Sequence, residues 1–168
     1  VNGLRLFPGM EVDVKEGGHI LLIADRKVIK EIRAQLEFHI EEQSFLTYDQ
    51  FMRLVSSYNL LKIGAHPFRE STPLARNVSK ESLLQLDAFD LNGKDLYAKG
   101  IEGCQQELQQ LADELNMPVI GGSDTHQFLQ YGSIVNKLDK ECSTIDEMRA
   151  EIREGDRKST RLNSSHTS

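Results

Sequence analysis

LKIGAHP, residues 61–67, alternates apolar Leu61, Ile63 and Ala65 with other residues and then reaches His66-Pro67, where proline has no backbone N–H to give a sheet. The run reads as a short strand with a histidine at its end. Helical patterns lie on the N-terminal side. Asp25 is placed as an N-cap before Val28, Ile32, Leu36 and Ile40, which recur every four residues, and Thr47 with Gln50 has the form of a capping box ahead of Phe51, Leu54, Val55 and Tyr58. Further upstream, 4–14 and 19–24 read as two strands around the Gly17-Gly18 turn.

The pattern repeats on the C-terminal side. The polar stretch 69–77 is a loop, Ser79 caps a short helix, and 88–91 is a strand ended by Asn92-Gly93. Ile101, Cys104, Leu108, Leu111 and Leu115 mark a long amphipathic helix that stops before Pro118. Val119-Ile120 opens into GGSDTH, 131–138 is one more candidate strand, and Thr144 with Glu147 starts a final capped helix bearing Ile145, Met148 and Ile152. Strands alternating with helices predict an α/β domain of parallel βα units, with short apolar strands suited to a barrel interior. In such barrels the chemistry sits at the ends of strands.

The 168 residues are enough for one domain. The net charge of −6 disfavours broad adhesion to nucleic acid, so the expected substrate is small and anionic, held in a local pocket. The longest apolar runs span only a few residues and no leader pattern is present, which predicts no membrane span and a cytoplasmic address. Cys104 and Cys142 lack metal-knuckle spacing and are expected to be reduced thiols.

Glu11, His19, His66, Asp124 and His126 all fall on, or at the ends of, predicted strands and turns. Imidazoles and carboxylates converging from different strands suit a divalent transition metal. Taken singly, each has an ordinary reading. Asp124-Thr125-His126 occurs by chance in turns, a strand-end His66 can donate to a backbone carbonyl, and His19 can be a satisfied core histidine. Glu11 is more pointed, because a carboxylate in an apolar strand is costly to bury without a partner, whereas Asp13 on the same face can be solvated. The i, i+2 spacing of Asp124 and His126 predicts two side chains on one side of an extended segment. His39, among Glu37, Glu41 and Glu42, is expected on the solvated face of a helix.

Taken together and in order, PGME (8–11), HILLIA (19–24), GAHP (64–67) and GGSDTH (121–126), followed by Gly132, resemble the later motifs of the PHP (polymerase and histidinol phosphatase) family. The resemblance spans Leu6 to about Leu138. It implies that Glu11, His19, His66, Asp124 and His126 are metal ligands, that Asp124 and His126 take part in catalysis, and that the fold is an incomplete distorted (β/α)7 barrel. It also implies two or three metal ions, zinc, manganese or iron, in a complete site that hydrolyses phosphate esters of a small phosphorylated substrate or nucleotide. In the intact parent a metal-bound hydroxide would attack phosphorus.

The family's opening His-x-His, Asp and His have no counterpart here, so the chain is expected to be N-terminally truncated and to hydrolyse phosphate esters poorly by itself. Arg69 and Arg76, in the loop after His66-Pro67, are candidates to grip phosphate, with plain solvation as the competing reading. Asp90 and Asn92 are candidates to orient a ligand or substrate. Two other functional classes stay open: a PHP domain kept as a non-catalytic binding module, and an amidohydrolase-like metal hydrolase.

The string DRKSTRLNSSH, residues 156–166, resembles translated read-through of a short-read sequencing adapter. The domain is therefore placed at 1–155. The segment 156–168 is expected to be disordered and to pack against nothing, with Leu162 outside the core.

Overall fold

The computed structural model describes residues 3, 5–93, 101–126, 132, 134–155 and 161–162, with backbone alone for 101–105 and 161–162. The strands β1 (Gly9–Val14), β2 (Gly18–Ala24), β3 (Leu60–Ala65), β4 (Ala88–Asn92) and β5 (Val119–Gly122) form one sheet in the order of the chain. The helices α1 (Arg26–Gln35) and α2 (Tyr48–Val55), with a 3-10 turn at Glu42–Ser44, separate β2 from β3. Two short helices, α3 (Leu74–Asn77) and α4 (Lys80–Leu83), precede β4, while α5 (Ile101–Leu115) lies between β4 and β5 and α6 (Ile145–Gly155) follows them. The strands β6 (Ile134–Val135) and β7 (Arg161–Leu162) pair separately.

The sheet is mixed rather than all parallel. β1 and β3 both run antiparallel to β2, while β3, β4 and β5 run parallel to one another. The described strands make an open sheet, and they do not establish a closed (β/α)7 barrel. The cause is local: β2 follows β1 through a turn in which Gly17 takes φ +76°, a conformation glycine adopts without a Cβ penalty, so β2 must return against β1.

The register sorts the side chains between two faces. Val12, Val14, Ile20, Leu22, Ala24, Phe89 and Leu91 turn one way and build the larger core with α1, α2 and α5. Leu61, Ile63 and Ala88 turn the other way and pack with Leu21, Ile23 and Ile120 against Ile145, Met148 and Ile152 of α6. Both faces are thus covered, which explains the nearly continuous apolar runs of the inner strands.

The capping signals hold. Thr47 and Gln50 form a reciprocal box, Ser79 accepts from the Ser82 N–H, and Thr144 and Glu147 exchange bonds at the start of α6. Asp25 occupies the N-cap of α1 with no side-chain bond. Three expectations fail. Helix α1 ends at Gln35, so Ile40 lies beyond it and is exposed, while His39 leaves the helix and its Nδ1 meets the Ser44 carbonyl at 2.8 Å. The strand expected over 131–138 reduces, within the described residues, to Ile134–Val135. That pair is matched with Leu162 and Arg161, so those two residues of 156–168 do contact the body of the chain. The rest of that segment and the Cys104 side chain lie outside the described residues. Cys142 is buried and free.

Gly18 faces Leu74, which is fully buried. A Cβ at Gly18 would lie 2.7 Å from Leu74 Cβ and 3.0 Å from its Cα, and backbone cannot move aside cheaply. Gly18→Ala is therefore expected to destabilise the chain by about 1–3 kcal/mol in urea unfolding. A neutral result would mean that α3 does not sit on β2 as described.

Candidate metal centre

Partners directly opposite in a sheet share a face, so register alone collects the polar groups. Glu11 is opposite Leu21, which is opposite Ile63, and Asp13 is opposite His19, which is opposite Ala65. Asp90 is opposite Ile120 and Asn92 opposite Gly122. All these residues lie on the face that α6 covers at its apolar end. The other end of that face is polar. It is formed by the C-terminal ends of β1, β3, β4 and β5 and by the start of β2, because β2 runs the other way.

Glu11, His19 and His66 each offer a ligand atom within 4.8 Å of the others. His19 Nδ1 lies 2.9 Å from Glu11 Oε1 and 3.1 Å from His66 Nε2, and the two rings meet edge to face with centroids 4.8 Å apart. His19 Nε2 lies 2.9 Å from Asp13 Oδ1. His19 Nδ1 thus faces a carboxylate oxygen and an imidazole nitrogen at once, and which nitrogen donates depends on the tautomer. The charges respond accordingly. The hydrogen bond to Glu11 raises the His19 pKa against the opposing effect of burial, and the same bond lowers that of Glu11.

The spacing suits a metal. Bonds of about 2.1 Å meeting at tetrahedral or right angles set neighbouring ligand atoms about 3.0–3.4 Å apart, close to the two spacings around His19 Nδ1. The donor set of two imidazoles and a carboxylate is that of zinc, manganese or iron. The other nitrogens are also engaged, as an oriented ligand requires: His19 Nε2 by Asp13, and His66 Nδ1 by Thr72 Oγ1 at 3.3 Å.

Asp124 stands beside this triad but is turned to Arg69. Arg69 Nη2 donates to Asp124 Oδ2 and to Asn92 Oδ1, each at 2.9 Å. Burial pushes the Asp124 carboxyl up, but the hydrogen bond and charge of Arg69 outweigh it and leave the pKa lowered. β5 ends at Gly122 and Asp124 takes φ +49°, so the segment is not extended there and the i, i+2 argument fails. His126 is correspondingly exposed, with its Nδ1 2.7 Å from the Asp124 carbonyl and 3.5 Å from Oδ1. Of the two arginines, Arg69 reaches the cleft, whereas Arg76 meets Glu107 of α5 at 3.9 Å on an exposed surface.

Asp90 and Asn92 were the weaker sequence signals, yet they are buried at the floor of the site. Gly122 permits this, since a Cβ there would lie 2.5 Å from Asp90 Oδ1. Asp90 accepts from the His66 backbone N–H and, at 3.1 Å, from Asn92 Nδ2. Burial pushes its pKa up to about 6 against these two bonds. A carboxyl raised in the folded state adds stability that is complete below its unfolded value and lost as pH rises through about 6. In metal-free protein, the unfolding free energy of Asp90→Asn relative to the parent should therefore improve by about 3 kcal/mol between pH 3.5 and 7. Parallel pH profiles for the two proteins would show that Asp90 is not the source.

A family model described as PHP-associated matches residues 106–156, which include Asp124 and His126. This bears out the resemblance to the PHP family seen in the motifs. Glu11, His19 and His66 lie outside the matched segment. No curated protein matches the chain. Among solved structures, the fold is similar to that of PsfC from Pseudomonas syringae PB-5123, with 18% identity and a TM-score of 0.66 over 90% of this chain and 59% of that one. It is also similar to the lesion-specific endonuclease PfuEndoQ from Pyrococcus furiosus, with 20% identity and a TM-score of 0.67 over 92% of this chain and 40% of that one. A third similar structure is endonuclease Q in complex with a 27-mer duplex substrate bearing an abasic lesion at the active site, with 20% identity and a TM-score of 0.65. The chain thus spans 40–59% of the length of these proteins.

Proposed function

From a chain that carries a PHP-associated segment and shares its fold with these structures, we propose that it supplies part of the divalent-metal centre of a phosphoesterase. The observation that supports this most directly is the Glu11–His19–His66 triad, with two ligand-to-ligand spacings of coordination length. These three residues would hold the ion, with Asp124 and His126 joining them or a further ion. The metal would lower the pKa of a bound water and neutralise charge on the reacting phosphoryl group.

The chain's own groups do the rest. Asp13 keeps the His19 ring oriented, Asp90 holds the backbone at His66, and the Arg69 fork faces the cleft, where a phosphate oxygen can meet it. Arg76 is not assigned to substrate. The substrate classes that suit such a site are a small phosphorylated compound or nucleotide and a phosphodiester in nucleic acid such as the duplex bound by endonuclease Q. Among the described residues, no helix is long and apolar enough to cross a membrane.

The test is a titration with zinc and manganese, followed by assay of the metal-loaded complete parent on phosphomonoesters, oligonucleotides and amides. Stoichiometric binding that requires His66, together with phosphoester hydrolysis, supports the reading. Binding without any hydrolysis favours a non-catalytic module, and amide hydrolysis alone favours the amidohydrolase-like alternative.

A further inference from the structure

The polar floor of the site is continuous. The His66 backbone N–H donates to Asp90, Asn92 Nδ2 donates to Asp90 Oδ2, Arg69 Nη2 donates to Asn92 Oδ1, and the same Nη2 donates to Asp124 Oδ2. Asn92 also hydrogen-bonds the Asp124 carboxylate directly. Two of the proposed metal-site residues, His66 and Asp124, are therefore joined through one hydrogen-bonded network. Both also hold left-handed backbone angles, φ +30° and +49°, in which a residue with a Cβ needs support from its surroundings.

Asn92 is the link that cannot be exchanged for a single-function group. Its amide gives hydrogen to carboxylate and accepts hydrogen from a guanidinium, which an apolar, a purely donating or a purely accepting side chain cannot do. Asp90 and Asn92 are buried, and among the described residues no buried side-chain nitrogen or oxygen lacks a partner. A buried network that is fully satisfied is stiff, and it fixes the groups at its ends.

We infer that Asn92 is a positioning residue of the metal centre: through Asp90 it sets the backbone at His66, and both directly and through Arg69 it sets the carboxylate of Asp124. The inference rests on the proposed metal site and assigns to β4 a role that no ligand on that strand performs. Supporting groups behind ligands commonly change metal affinity by about tenfold to a hundredfold when removed.

The experiment uses the full 168-residue chain. Zinc affinity is measured by competition with a chromophoric chelator for the parent, Asn92→Ala, Asp124→Ala, the double variant and His66→Ala. In parallel, the 15N guanidinium signals of Arg69 are recorded in metal-free protein. Asn92→Ala is expected to weaken zinc by about tenfold to a hundredfold, to act less than additively with Asp124→Ala while keeping the share that runs through Asp90 and His66, and to average the Arg69 Nη signals that the parent keeps distinct.

If Asn92→Ala does not fold, Asn92→Asp takes its place. It keeps the volume and the acceptor for Arg69 but sets a second carboxylate against Asp90, and the same weakening is expected. Zinc binding that is lost in His66→Ala yet unchanged by the Asn92 variants, even if their melting temperature falls, overturns the positioning role alone. Full additivity with Asp124→Ala also overturns it. Zinc binding indifferent to His66→Ala instead overturns the metal-site reading on which the role depends.

Discussion

Replacing His66 with glycine or alanine is expected to weaken zinc or manganese binding by at least about a hundredfold. Structural zinc sites with three or four protein ligands bind with about 10–16 kcal/mol, so one ligand accounts for roughly 3 kcal/mol, and 1.4 kcal/mol is tenfold. His66 is buried with Nε2 against His19, so no neighbouring side chain can take its place without a backbone shift. Its loss leaves only Glu11 and His19 of the triad. The two variants should differ in stability, because alanine must hold the φ of +30° that glycine adopts freely. His66→Gly should therefore melt at a higher temperature than His66→Ala while binding metal equally poorly. Isothermal titration with scanning calorimetry checks both halves, and undiminished affinity in either variant would remove His66 from the ligand set.

Phe89→Ala is expected to cost about 3–5 kcal/mol, a large part of the whole stability of a domain of this size. Phe89 is fully buried at the centre of β4, opposite Gly64 on one side and Val119 on the other. Its ring lies where a Cβ on Gly64 would come within 3.0 Å, so β3 and β4 approach closely over it. Truncation would leave a cavity that this rigid pair of strands cannot close. Urea unfolding measures the loss, and a cost below about 1 kcal/mol would show that the larger core does not depend on β4.

Much of this architecture was legible in the sequence. The strand cores at 61–65 and 88–91, the capping boxes at Thr47 and Thr144, and the end of α5 before Pro118 follow from local preferences that tertiary contacts did not override. The turn that joins β1 to β2 was legible at Gly17-Gly18, but the antiparallel pairing of β3 with β2 was not, since it joins strands separated by two helices. Nor was the exit of the chain from helix at Gln35, where an apolar spacing continues to Ile40 without a surface to bury it. In the site, Glu11, His19 and His66 were visible because acid and imidazole stand out in apolar strands. The partnership of Arg69 with Asp124 was not, because it joins residues far apart in sequence through a left-handed turn. Asp90 and Asn92 stood out as candidates to orient a ligand or substrate, but their burial was not legible. Only the missing Cβ of Gly122 shows how deeply Asp90 sits.

Gly17 also bears on the order in which the chain assembles. Its N–H closes the turn on the Val14 carbonyl, so Glu11, Asp13 and His19 belong to one hairpin, and contacts within a hairpin form in about 1–10 μs. The His19–His66 contact has to wait until a loop of 47 residues has closed and its helices have docked. Half of the centre is therefore local and early, and the other half is long-range and late. The triad can be complete only once the hairpin has paired with β3.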